Sequence, residues 1–181
     1  MSHALTSSAL SGPASAPGAS ESGNSHSWEA FGRPGGKRPS LWRATIGLAS
    51  GTIGREQLDE RPGEFPRVDP RVVGLPYRYG FMPVERVANR FGALARYDLM
   101  TGRSVVRDFG AGRELDEPAF VARPGSRDEA DGWIMIFVYD AASDRSSLVI
   151  LDAREIDRAP VAEILLPQRV PHGFHGEWMA A

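Results

Sequence analysis

Two histidines stand three residues apart near the C-terminal end, in "VPHGFHGEW", in a chain of 181 residues with four histidines and no cysteine. Without thiolates, any metal here is held by imidazole nitrogen or carboxylate oxygen. In an extended strand, positions i and i+3 point to opposite faces. His172 and His175 would chelate as a pair only on a helix or in a tight loop, and Gly173 and Gly176 argue against the helix. His175, between Phe174 and Gly176, has the more buried-looking setting of the two. On chemistry alone, each is either a metal ligand or an ordinary histidine with satisfied nitrogens. Two carboxylates lead into apolar sequence: Glu64 in "EFPRVDPRVVGLPYRYGF" and Glu117 in "EPAFVARPG". Burying a carboxylate costs several kcal/mol unless it finds a partner. Glu64 and Glu117 are thus either exposed strand-end groups or acceptors for a histidine N–H, which fixes the tautomer around a metal.

Other chemistry is poorly served. "GLASGTIG" is rich in glycine but lacks the Lys-Ser/Thr of a phosphate loop, and neither a G-x-S-x-G elbow nor an H-E-x-x-H pair occurs. A net charge of −2, with 20 of the 21 basic residues scattered arginines, gives no surface for nucleic acid. No apolar run approaches the roughly 18–20 residues of a membrane span, and nothing after Met1 reads as a secretory leader. The expectation is a cytoplasmic protein with no transmembrane segment.

The elements that must carry these residues divide unevenly. Of residues 1–40, 26 are Ser, Ala, Gly or Pro, a composition expected to leave a disordered low-complexity tail, with His3 and His26 inside it. From 41 to 181 short apolar runs alternate with turn residues. "GALARYDLMTGRSVVRDFGAG" and "DGWIMIFVYDAASDRSSLVILDARE" each read as strand–turn–strand, with Trp133–Tyr139 a buried strand, and "PVAEILLPQRV" adds a proline-bounded strand. The two hairpins match at an offset of 42 residues, from Tyr97-Asp98 to Tyr139-Asp140. That is a spacing compatible with β-propeller blades, against a generic sandwich as the alternative. About 140 residues make barely three blades, too few to close a ring.

Five segments, "GEFPRVDPRVVGLPYRYGF", "DEPAFVARPG", "DGWIMIFVYD", "SSLVILDARE" and "LPQRVPHGFHGEW", together resemble the C-terminal part of the carotenoid oxygenase family. That family comprises carotenoid, apocarotenoid and lignostilbene cleavage dioxygenases. The resemblance implies an all-β fold, a partial β-propeller formed by the last blades of a seven-bladed ring. It also implies non-haem Fe(II) held by four histidines, with glutamates orienting three of them. By the "GFHG" motif the last iron histidine is His175, and the orienting glutamates are Glu64 and Glu117; His172 has no matching role. The substrate class would be a hydrophobic polyene or stilbene, cleaved with O2 to carbonyl products. The family's other three histidines have no counterpart here. The chain alone is therefore expected to be inactive and weak in iron, the remaining blades being absent or supplied by another chain. The alternatives are a non-catalytic β-rich remnant or interaction module, and a different metal bound by His175 with Glu64 or Glu117.

Overall fold

A computed structural model describes residues 2–8, 38–173 and 175–179. Apart from a single 3-10 turn at Pro70–Val72, the regular elements of the described residues are strands, arranged in three antiparallel sheets. The first contains β1 (Ser2–Ser8), β2 (Ser40–Gly47) and β3 (Thr52–Asp59) in that order. The second contains β4 (Tyr79–Val87), β5 (Arg90–Asp98) and β6 (Arg103–Asp108). The third runs β11 (Ala162–Leu165), β10 (Arg145–Asp152), β9 (Gly132–Asp140), with β7 (Arg113–Leu115) and β8 (Ala119–Ala122) both paired to β9. These are sheets of the propeller-blade kind. Much of the segment expected to be disordered, 9–37 with His26, lies outside the described residues. Ser2–Ser8 within it nevertheless pairs with Ser40–Ile46 of β2.

Alternation of side chains along β4 and β5 builds the core on both faces of the second sheet. Met82, Val84, Ala93, Ala95 and Tyr97 turn toward Leu41 and Leu58 of the first sheet. Phe81 and Leu94 turn the other way, against Ile134, Ile136, Val138, Val149 and Leu151 of the third. The Trp133–Tyr139 run is buried on that one face only. Across β9 and β10 the other face carries Met135, Phe137, Leu148 and Ile150, half-buried except for Phe137, which is 39% exposed.

Both expected hairpins form, with identical register. Asp98 faces Arg103 and Tyr97 faces Ser104, as Asp140 faces Arg145 and Tyr139 faces Ser146. In each turn the aspartate Oδ1 accepts the N–H two residues on, from Met100 or Ala142. The positive φ falls on Gly102 (68°) in one and Asp144 (51°) in the other. The 42-residue offset is not the blade repeat, however. It relates the third and fourth strands of one sheet to the second and third of the next, because both turns obey the same local chemistry. The sheet repeat is 53 residues: β4 begins at Tyr79 and β9 at Gly132, and they end at Val87 and Asp140.

One edge of the second sheet and one edge of the third carry an interrupted strand. Before β4, the chain bridges Gly63 to Val84 and Arg67 to Phe81, so four steps of chain oppose three. Before β9, Leu115 pairs with Val138 and Ala119 with Met135, again four steps against three. Each is a bulge of one extra residue, the device that bends an edge strand and re-aims a side chain. Pro66 and Pro118 fall inside these bulges, where no ladder N–H is needed. Gly63 enters its bulge pressed against β4: an added Cβ would lie 2.5 Å from the Pro83 carbonyl oxygen.

Candidate metal-ligand site

The two bulges carry Glu64 and Glu117, also 53 residues apart. Neither is an exposed strand-end carboxylate: Glu64 is half-buried and the Glu117 side chain is only 5% exposed. The described residues of the C-terminal segment, 170–173 and 175–178, run past them outside any strand, so strand alternation does not govern the two histidines. They separate for another reason, since each is drawn to its own carboxylates.

His175 Nδ1 lies 3.3 Å from Glu117 Oε2, and the Gly176 N–H donates to the same oxygen at 2.8 Å. Arg67 Nε donates to Glu117 Oε1 at 2.7 Å and Arg67 Nη2 to the Gly176 carbonyl at 3.0 Å. On the other side, the Phe65 ring meets the imidazole edge-on, with centroids 5.7 Å apart at 89°, and leans on Phe91 at 5.8 Å. Phe65 holds φ at 55°, a left-handed conformation that costs a non-glycine residue of order 1 kcal/mol and tends to mark functional positions. Its strain comes with the bulge that aims the ring at His175.

The expectation of a buried-looking His175 is corrected: its side chain is 75% exposed, packed edge-on against Phe65 and against Glu117 but left open elsewhere. Glu64, Phe65, Pro66, Arg67, Glu117 and His175 line one open depression of about 380 Å³. Burial raises the Glu117 carboxyl, but the Arg67 hydrogen bond, the Gly176 N–H and the Arg67 charge outweigh it and hold the group below the ordinary glutamate range. Glu64 moves the opposite way, raised by burial and then by the nearby Glu85 charge. No hydrogen bond to its carboxylate is formed among the described residues.

His172 sits apart, its Nε2 3.7 Å from Glu114 and its Nδ1 3.8 Å from Asp116, with the Tyr139 ring edge-on at 5.7 Å. Burial raises Asp116 against the opposing pull of His172 and the Gly173 N–H. Both His172 nitrogens thus face carboxylates, while His175 has Nδ1 engaged and, among the described residues, no hydrogen bond at Nε2.

The donor set answers for itself on metal binding. Among the described residues no group of three or more His, Cys, Asp or Glu side chains converges on one point. With its Nδ1 engaged, His175 suits one ligand position; it does not make a centre alone. Glu117 accepts from Arg67 Nε and the Gly176 N–H and faces His175 Nδ1.

The sequence model of a family described as retinal pigment epithelial membrane protein matches residues 5–180. The chain belongs to that family. It is the superfamily of carotenoid, apocarotenoid and lignostilbene cleavage dioxygenases, an oxidoreductase family that uses Fe(II). Among its relatives, the apocarotenoid-15,15'-oxygenase of Synechocystis is 38% identical over 141 residues, 76% of this chain and 29% of the relative. The carotenoid cleavage oxygenase of Mycobacterium tuberculosis is 38% identical over 153 residues, 80% of this chain and 30% of its own. The crystal structure of the cobalt-substituted Synechocystis oxygenase superposes with a TM-score of 0.77 at 36% identity, covering 81% of this chain and 31% of that one. The chain therefore spans about three-tenths of the length of these relatives.

Arg67 and Phe65 escaped the sequence reading, although "EFPR" contains both. The signal that marks the bulges is the pair Glu64 and Glu117, 53 residues apart, each with a Pro one or two residues on. Arg67 itself is one arginine among 20.

Proposed function

We propose that this chain is the C-terminal portion of a non-haem Fe(II) dioxygenase that cleaves a conjugated alkene, a carotenoid, apocarotenoid or stilbene, to carbonyl products with O2. His175 contributes one imidazole to the iron, Glu117 orients it, and Glu64 orients a second imidazole that this chain does not supply. The observation that carries the reading is the Glu117–His175 pair, in which Nδ1 is engaged by a carboxylate on a histidine that lines the depression shared with Glu64. A carboxylate fixed by other donors accepts the Nδ1 proton and leaves the Nε2 lone pair free, the arrangement of metal-bound histidines generally. Glu64, half-buried, raised and without a hydrogen bond among the described residues, suits a carboxylate awaiting an N–H donor.

One imidazole holds Fe(II) weakly, so the isolated chain binds well below one iron per molecule and does not turn over. Iron, where the full ligand set is assembled, supplies the oxygen chemistry. This chain's residues position one ligand and present apolar surface: a depression of about 340 Å³ lies between Met135, Phe137 and Leu148 on the third sheet and Val170, Pro171 and Trp178 of the C-terminal segment. The half-exposed face of that sheet suits a further blade, from a longer chain or another copy.

A chimera tests this. The stretch of the Synechocystis oxygenase that aligns with this chain is replaced by residues 41–179, and iron content and apocarotenoid cleavage are measured. The chimera is expected to hold iron and cleave; His175→Ala abolishes both, and His172→Ala leaves iron content intact. Equal iron and activity in the His175→Ala chimera would overturn the reading, and a folded, iron-free chimera would favour a non-catalytic remnant.

A further inference from the structure

We infer that Arg67 is a positioning residue of the His175 site, its guanidinium closing a ring with Glu117 and Gly176 that sets the orientation of the imidazole. The inference rests on the reading that His175 presents Nε2 outward, and it adds the part that makes it do so.

Three hydrogen bonds form the ring. Arg67 Nε donates to Glu117 Oε1 at 2.7 Å, the Gly176 N–H donates to Glu117 Oε2 at 2.8 Å, and Arg67 Nη2 donates to the Gly176 carbonyl at 3.0 Å. Both backbone polar groups of Gly176 are thereby claimed, the N–H by the carboxylate and the carbonyl by the guanidinium. Since Gly176 shares a peptide bond with His175, fixing that residue fixes where the His175 side chain begins. Oε1 takes Arg67 Nε and Oε2 the Gly176 N–H, so the carboxylate plane is fixed and His175 Nδ1 meets its edge, 3.3 Å from Oε2 and 3.5 Å from Oε1.

Arg67 can do this because its own backbone is tied to the core. Its N–H and carbonyl exchange hydrogen bonds with Phe81, both at 2.7 Å, and Phe81 is 1% exposed. The stiffness of β4 is carried through Arg67 into a C-terminal segment that has no strand pairing of its own. Only a planar guanidinium supplies two donors in one fixed fork; a lysine ammonium reaches Glu117 or the Gly176 carbonyl, with no set angle between them. With its side chain 33% exposed, Arg67 acts more by geometry than by buried charge.

The test uses the full chain, 15N-labelled and metal-free, at one fixed pH at which its histidines are neutral. Long-range 1H–15N correlation of the imidazoles reports which ring nitrogen carries the proton. In the wild type, His175 is expected as the Nδ1–H form. Arg67→Gln moves His175 to a majority of Nε2–H, Arg67→Lys restores Nδ1–H in part, and His172 keeps its signature throughout. A folded Arg67→Gln chain with His175 still in the Nδ1–H form overturns the inference. A second measurement needs no variant: backbone relaxation of wild-type Gly176 is expected to match the β9 amides, and ns-scale freedom there overturns the inference even if the variants fail to fold. The iron reading fails separately, if the chimera keeps its iron without His175 while Arg67 still governs the tautomer.

Discussion

Replacing Glu117 by Gln removes one charge and almost no volume, which makes it a sharp probe of how the C-terminal segment is held. The carboxylate is 5% exposed and receives Arg67 Nε at 2.7 Å and the Gly176 N–H at 2.8 Å on different oxygens. A glutamine has one carbonyl oxygen for these two donors and must turn its NH2 toward the other, donor against donor. A hydrogen bond to a charged group contributes about 1.5–3 kcal/mol, and the Gly176 bond, sited at a buried carboxylate, falls in that range. The Arg67 bond is discounted because its side chain is one-third exposed. A net loss of about 2 kcal/mol corresponds to roughly 30-fold in the local opening equilibrium. Residues 170–173 and 175–178 belong to none of the sheets, so the loss is local rather than global. Hydrogen exchange therefore reads it directly. The Gly176 amide in Glu117→Gln exchanges about 30-fold faster than in the wild type, while Ile136 and Val138 in β9 keep their protection. Unchanged exchange at Gly176 refutes the argument that Glu117 holds this segment, and equal loss across β9 refutes the claim that the effect is local.

Two further outcomes follow from the same structure. Asp59 accepts the Tyr97 hydroxyl at 2.6 Å and Arg61 Nε at 2.7 Å, joining the first sheet to the second. Burial raises its carboxyl, but the Arg61 and Tyr97 hydrogen bonds outweigh it and the net shift is downward. A carboxyl lowered on folding contributes stability above its unfolded value near 4 and loses it as the pH falls through the folded value. Thermal melts of Asp59→Asn should thus show a shallower decline in Tm below about pH 4 than the wild type; identical acid slopes contradict this. Gly63→Ala places a methyl 2.5 Å from the Pro83 carbonyl, and relieving it means shifting the bulge that carries Glu64. Denaturant titration is expected to show a loss of about 1–3 kcal/mol, the range for overpacking, and a loss below 0.5 kcal/mol would show that the bulge yields freely.

The hairpins were legible because their turns are chemically explicit: an aspartate that accepts the N–H two residues on, then a residue suited to positive φ, between apolar runs. That same local chemistry produces a 42-residue match that is not the sheet repeat. Asp98 and Asp140 recur because hairpins favour them, whereas the blade repeat is written in Glu64 and Glu117, two carboxylates that look unremarkable until the one-residue bulges are seen. His175 was misjudged as buried because Phe174 and Gly176 say nothing about which strand lies opposite. The role of Arg67 was illegible for a related reason: its partners, Glu117 and Gly176, lie 50 and 109 residues away, and no local pattern encodes a contact of that range.

The central claim is that the metal-ligand role rests on His175 and not on its neighbour. Titrating the 15N-labelled chain with Co(II) and following the four histidine rings by NMR tests it most directly. His175 Nε2 has no hydrogen bond among the described residues, while both His172 nitrogens face Glu114 and Asp116. Paramagnetic broadening is therefore predicted first and most strongly on the Nε2 side of His175, at weak affinity, with His172 affected only at higher metal. Broadening of His172 ahead of His175, or of both together, would contradict the account.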